Sequence, residues 1–283
     1  MRRNSLLKQE IRGSKRIMDI NIPLLVDVHA HLDHAYLFNQ LDAVLDRAKK
    51  AGMKYILTSG VNVTSNRNAL AISRKYPDIV KFSAGLYPID LLGNVHVEGL
   101  PRQAEPIDID EEFKFITKHK DEVFAIGEVG LDAKYCADQM PKQKENLQKI
   151  LAFVEKIRTP VILHTRKAEK DVLDMLESTT LKKVDLHCFM GNKKLIQRAA
   201  DLGYKFSIPP VIVKLQHFQM LVEMVDISQI LTETDAPYLS PHSDRKNEPA
   251  FVRETIKMIA KIKKIDEQEA EKNIFKNFEQ MFL

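Results

Sequence analysis

The sequence predicts an α/β fold: a (β/α)8 TIM barrel closed by C-terminal helices. Eight short runs rich in Val, Ile and Leu alternate with longer segments of helical character, the pattern of a buried parallel sheet wrapped in helices. Five of those runs lead into a residue able to ligate a metal, and barrels gather their chemistry at the C-terminal ends of their strands. The length of 283 residues suits one such barrel, typically about 250 residues.

The elements follow in order. The first strand covers residues 24–28 and the helix after it 38–51, where Lys50-Ala51-Gly52 supplies a glycine suited to a left-handed cap. The second strand lies at 53–58, with a helix at 64–76 that Pro77 terminates. The third, 80–84, leads into an excursion over 88–109 rich in Pro and Gly, then a helix at 110–119. This excursion sits at the C-terminal side of the third strand, where it either overhangs the site or is a plain solvent-exposed insertion. The fourth strand covers 123–127 and its helix 141–157; strands at 160–164 and 183–187 each precede a helix. Leu202-Gly203 repeats the helix-then-glycine pattern before the seventh strand at 204–208, the eighth lies at 229–233, and helices at 249–263 and 266–280 close the chain.

A hydrophobic fraction of 44% supplies a sizeable core, and no apolar stretch approaches the roughly 18 residues of a membrane span. No secretory h-region is visible. Two cysteines, Cys136 and Cys188, are too few for a disulfide framework and fit a cytoplasmic setting. The formal charge of +4 invites a nucleic-acid reading, but Arg2, Arg3, Lys8, Arg12, Lys15 and Arg16 against Glu10 and Asp19 account for all of it. Residues 1–20 are therefore expected to be a flexible basic tail, and 21–283 the barrel domain. Such an arm can also contact phosphate or serve in organelle targeting.

His29 and His31 alternate on an extended chain, so both face one side of the strand. Glu128 has two oxygens and can bridge two cations. His164 and His187 can supply imidazoles to a second ion, and Asp235 can ligate the first ion, accept a proton from water, or both. Each residue alone is weak evidence; their order at successive strand ends is not. Two divalent ions, Mg2+, Mn2+ or Zn2+, at such a site activate water and stabilise attacking and leaving oxygens. Arg166, two residues beyond His164, offers a fork for bidentate phosphate contact, and Glu233 is placed to orient a ligand. No GxSxG elbow, Walker loop or GxGxxG fingerprint is present. His34 lies near enough to the His-x-His pair to touch substrate.

Taken together, Asp27-Val28-His29-Ala30-His31-Leu32, Gly127-Glu128-Val129-Gly130-Leu131-Asp132, Val161-Ile162-Leu163-His164-Thr165-Arg166, His187-Cys188-Phe189-Met190-Gly191 and Glu233-Thr234-Asp235-Ala236-Pro237-Tyr238-Leu239 resemble the TatD family of metal-dependent hydrolases. Asn247-Glu248-Pro249, Asn273 and Phe275 complete the resemblance, which spans residues 24–282. It implies a barrel holding one to three divalent ions. His29, His31, Glu128 and Asp235 would hold one; Glu128, His164 and His187 would hold another. It also implies a deoxyribonuclease, commonly an Mg2+-dependent exonuclease, here taken as 3′→5′, with Glu128 and Asp235 as catalytic groups. Some members instead remove D-amino acids from tRNA, so an aminoacyl-tRNA deacylase or another ester or amide hydrolase is the alternative; fold does not decide between them. The chain departs from the family in two places. Gly85-Leu86-Tyr87-Pro88-Ile89 stands where many relatives have Gly-x-His-Pro-His, so Tyr87 becomes the candidate substrate contact there. After Asp132 a common aromatic pair is replaced by Ala133-Lys134, and Lys134 becomes a candidate phosphate contact. A binding protein without activity, using the basic tail, is a third reading that the complete ligand set disfavours. DNA or another phosphate-containing molecule, and alternatively tRNA, are the expected partners, with no membrane.

Overall fold

The computed structural model describes residues 24–93 and 104–283; the basic tail and residues 94–103 of the excursion lie outside them. Eight parallel strands pair in sequence order: β1 (Leu25–Ala30), β2 (Met53–Ser59), β3 (Val80–Leu86), β4 (Val123–Asp132), β5 (Val161–Arg166), β6 (Val184–His187), β7 (Lys205–Ile208) and β8 (Ile230–Thr232). The helices are α1 (Ala35–Phe38), α2 (Leu41–Ala51), α3 (Val63–Lys75), α4 (Ile109–Lys118), α5 (Met140–Ile157), α6 (Glu169–Leu176), α7 (Lys193–Asp201), α8 (Gln216–Met224), α9 (Val252–Lys263) and α10 (Glu267–Phe282). This is the (β/α)8 barrel with C-terminal helices that the alternation predicts.

Local chemistry sets the boundaries. Gly52 ends α2 in the left-handed region, at φ 95°, as Lys-Ala-Gly predicts. Asn62, Asp108, Asn192 and Asp266 cap α3, α4, α7 and α10 by accepting backbone N–H bonds of the first turn. The strands are almost wholly buried because the barrel interior covers one face and the helices the other; Phe82, Phe206 and Leu57 are fully enclosed.

Several strands run past the bounds the sequence suggests, among them β3 to Leu86 and β5 to Arg166, which puts His164 inside β5. β1 extends to Ala30, so His29 lies within it. β4 runs on to Asp132, so Glu128 is not at a strand end. Ile126 pairs with Val161 but Val129 pairs with Leu163, so β4 carries one extra residue between them. The same slip appears against β3, where Ala84 and Leu86 meet Ile126 and Val129. This bulge turns Glu128 inward from the middle of a ladder. Gly127 permits it, since a Cβ there would come within 2.6 Å of Ile162 Cβ.

The barrel closes between its first and last strands. Asp235 N donates to His29 O at 2.8 Å and His31 N to Ala236 O at 2.9 Å. Below them, Asp27 accepts from the Thr234 backbone at 2.9 Å and its hydroxyl at 2.6 Å. This seam brings the ligand candidates of β1 against the segment after β8.

Candidate metal centre

All six proposed ligands converge at the C-terminal end of the barrel. One oxygen of Glu128, Oε2, lies 3.6 Å from His29 Nε2 and 3.8 Å from His31 Nε2. The other, Oε1, lies 2.6 Å from His164 Nδ1 and 4.0 Å from His187 Nε2. Asp235 Oδ1 is 3.8 Å from His29 Nε2 and 3.3 Å from His31 Nε2. Two ligand atoms each about 2.1 Å from a shared ion are about 3.0–3.4 Å apart. Most of these separations are too long for hydrogen bonds and near the spacing of atoms around a cation. Two three-residue groups have ligand atoms within 4.8 Å of one another: His29, His31 and Asp235, and His29, Glu128 and His187. His164 belongs to neither group, though its Nδ1 lies 2.6 Å from Glu128 Oε1.

The orientation of each imidazole is fixed from behind. Ser59 O accepts from His31 Nδ1 at 3.1 Å, and Ser59 Oγ lies 3.3 Å from His29 Nδ1. Glu233 Oε2 accepts from His187 Nδ1 at 2.6 Å and from Ser207 Oγ at 2.6 Å. These three histidines present Nε2 to the centre. His164 is reversed: Asp132 Oδ2 lies 3.1 Å from its Nε2, which leaves Nδ1 facing Glu128. His29 Nε2 is fully buried with no hydrogen-bond partner, and such an orphaned atom is costly unless something binds it. Imidazoles, which ligate as the neutral ring, and carboxylates form a donor set that fits divalent ions.

The electrostatics describe a place that wants positive charge. Burial alone would hold His187 neutral, but the Glu233 carboxylate outweighs it and lifts the ring to about 10. Against the same burial, Asp235 lifts His31 to about 9, and Glu128 followed by Asp132 lifts His164 to about 9. His29 goes the other way, lowered to about 4 by burial and by His187, whose ring stacks on it at 3.9 Å. Burial would raise Glu128 and Asp235, yet facing imidazoles hold both below the usual carboxylate range.

A cavity of about 740 Å3 opens above this floor. Arg166 lines it, with its guanidinium carbon 5.3 Å from the ring centre of Tyr135, which lines it too. Tyr87 is also in the wall, but its hydroxyl donates to Asp132 Oδ2 at 3.0 Å, so it braces the group behind His164. Lys134 is exposed and outside the lining; the chain turns after β4 so that Tyr135 reaches the cavity while Lys134 Nζ sits 5.0 Å from the Tyr135 ring. The aromatic character expected after Asp132 thus returns later, on Tyr135. His34 lines the cavity as its position near the His-x-His pair suggested, and the returning end of the excursion places Glu105 in the wall. Asp33, Glu105 and Glu169 form an acidic margin; among the described lining residues Arg166 is the sole Lys or Arg. Sequence reasoning gave no role to Ser59, Asp132 or Tyr135. Ser59 had a signal, the second of two polar residues that follow an apolar run; the roles of the others depend on the bulge and turn of β4.

The family comparison adds to this geometry. A sequence model of the family described as TatD related DNase matches residues 26–283. The chain belongs to the TatD family. As a TatD-family protein it is a metal-dependent hydrolase acting on ester bonds. It is 32% identical to a Methanocaldococcus jannaschii protein named uncharacterized metal-dependent hydrolase MJ1582, over 89% of this chain and 94% of that one. It is 31% identical to the human protein named deoxyribonuclease TATDN3, over 87% and 89% of the two chains. The crystal structure of YJJV, a TatD homologue from Escherichia coli K12, superposes with a TM-score of 0.82 at 22% identity, covering 92% of this chain and 98% of that one; this supports the fold. Among the described residues no helix is long and apolar enough to cross a membrane.

Proposed function

We propose that this TatD-family chain is a deoxyribonuclease that removes nucleotides from the 3′ end of DNA, using two divalent ions held by His29, His31, Glu128, His164, His187 and Asp235. The observation that carries the reading is the split of Glu128, one oxygen toward His29 and His31 and the other toward His164 and His187. When bound, Mg2+, Mn2+ or Zn2+ would lower the pKa of a water and offset charge on the phosphoryl oxygens. The residues supply the rest. Asp235, whose Oδ1 lies 3.3 Å from His31 Nε2, accepts the proton of the attacking water. Arg166 holds a non-bridging phosphate oxygen through its fork, and the Tyr135 ring beside it offers a face for a base. Glu233 and Asp132 keep His187 and His164 in the tautomers that face the centre. The relative named deoxyribonuclease supports DNA as the substrate. The free thiols of Cys136 and Cys188 fit a cytoplasmic protein.

One observation favours a second reading. The acidic margin of Asp33, Glu105 and Glu169 suits an ammonium group, as on an aminoacyl ester such as D-aminoacyl-tRNA. A 5′-labelled oligonucleotide with Mg2+ or Mn2+ separates the two. The nuclease reading expects a ladder shortened from the 3′ end by wild type and none by Asp235→Asn. Intact oligonucleotide alongside hydrolysed aminoacyl esters would replace it with the second reading.

A further inference from the structure

A second cavity, of about 530 Å3, lies beside the first, and Asn68 of α3 lines both. Its size falls within the range of small-molecule sites, about 300–1,000 Å3. Helix α1 forms the ridge between them. At its start His34 lines the main cavity and accepts the Tyr36 N–H at 3.1 Å; at its end Phe38 lines the second. Exposed large hydrophobic side chains are informative where they gather. Among the described residues they are Tyr36 (44% exposed), Phe38 (52%), Met190 (48%), Leu215 (41%) and the terminal Leu283. Met190 and Leu215 line the main cavity, and Tyr36 and Phe38 stand on α1. Apart from the terminus, two of these line the main cavity and two stand on α1, so a path from that cavity over the ridge passes exposed apolar side chains on both.

We infer that this path is a track for single-stranded nucleic acid. The strand end lies in the metal cavity, and the strand crosses α1 so that a nucleotide away from the scissile bond occupies the second cavity. The inference rests on the nuclease reading. Aromatic faces open to solvent are what unpaired bases stack on, whatever their sequence. Tyr36 and Phe38 provide two such faces on one short helix. Asn39, Gln40 and Lys75 in the second cavity add donors for phosphate or base edges, while Asp42 there accepts the Tyr76 hydroxyl at 2.5 Å. Continuity with the metal cavity through Asn68 selects the substrate strand as occupant.

The test compares two substrates of the metal-loaded full chain: a single-stranded oligothymidylate, long enough to cross α1, and bis(4-nitrophenyl) phosphate, which reaches only the metal cavity. The readout is the ratio of kcat/KM for the strand to kcat/KM for the small diester. Phe38→Ala should lower that ratio roughly 5- to 150-fold, mainly through KM, as expected for loss of one stacked base. Phe38→Trp should restore it, which a damaged fold would not allow. An unchanged ratio in Phe38→Ala, with wild type cleaving both substrates, overturns the track and leaves the nuclease reading standing. Cleavage of neither the strand nor the diester by wild type overturns both.

Discussion

Replacing Asp132 by asparagine should invert the tautomer of His164. In the wild type, Asp132 Oδ1 accepts the backbone N–H groups of Lys134 at 2.8 Å and Tyr135 at 3.0 Å. Its Oδ2 accepts from His164 Nε2 at 3.1 Å and from the Tyr87 hydroxyl at 3.0 Å. Asparagine has one acceptor oxygen. Two backbone donors compete for it, and turning the amide NH2 toward them would leave unpaired donors at about 1–3 kcal/mol each. The oxygen therefore stays with the backbone and the NH2 faces His164. A bare Nε2 then receives that N–H, and the ring proton moves to Nδ1, the atom 2.6 Å from Glu128. A protonated Nδ1 has no lone pair for an ion. Partners behind metal-binding histidines are typically worth about 10–100-fold in affinity, or about 1.4–2.8 kcal/mol. The fold should survive, because Gln143 holds the Asp132 backbone N–H at 2.8 Å and carbonyl at 3.0 Å independently of the side chain. Calorimetric titration of metal-free protein with Mn2+ should show one of two equivalents weakened by that factor. Two equivalents binding within twofold of wild type would refute the tautomer argument.

Two further outcomes are expected. Arg166→Ala should lower kcat/KM on DNA roughly 10–100-fold through loss of charged hydrogen bonds to phosphate, and Arg166→Lys should recover only part, since it lacks the fork; steady-state kinetics on a labelled oligonucleotide check both. Glu122 is held at about 2, below its ordinary 4.5, by hydrogen bonds from Arg74 and His119. The folded value is the lower one, so this contribution is fully present above about pH 4.5 and is lost as pH falls to about 2. Thermal unfolding of wild type and Arg74→Ala should thus show a small Tm gap at neutral pH that closes in acid and in high salt.

The elements legible in the sequence were those set by local rules. Period, length and a glycine at 52 place α2 and β2, and apolar runs place the ladders. The six candidate residues that converge at the barrel end could be picked out because metal-binding residue types stand out against apolar runs. The bulge in β4 was not, because it reflects the pairing of Ile126 and Val129 with β5 rather than any local preference. Its effects followed: Glu128 sits inside a strand, and Asp132 becomes the last strand residue, where it can reach His164 and Tyr87. Lys134 read as the side chain at the mouth because the turn that delivers Tyr135 instead is set by Asp132 Oδ1, a tertiary arrangement. The short helix α1 was missed for a similar reason: four residues carry too little periodicity to register.

The seam between β1 and the residues after β8 has a consequence for how the molecule matures. His29 and His31 leave the ribosome near the start of the barrel, whereas Asp235 emerges only after its eighth strand. A nascent chain lacking its last strand can collapse, but it offers no group of three ligands at His29, His31 and Asp235. An ion held there would act as a clasp, its binding free energy added to closing the seam between the first and last strands. The group of His29, Glu128 and His187 is complete earlier in the chain, so the two halves of the centre would form in order, the Asp235 side last.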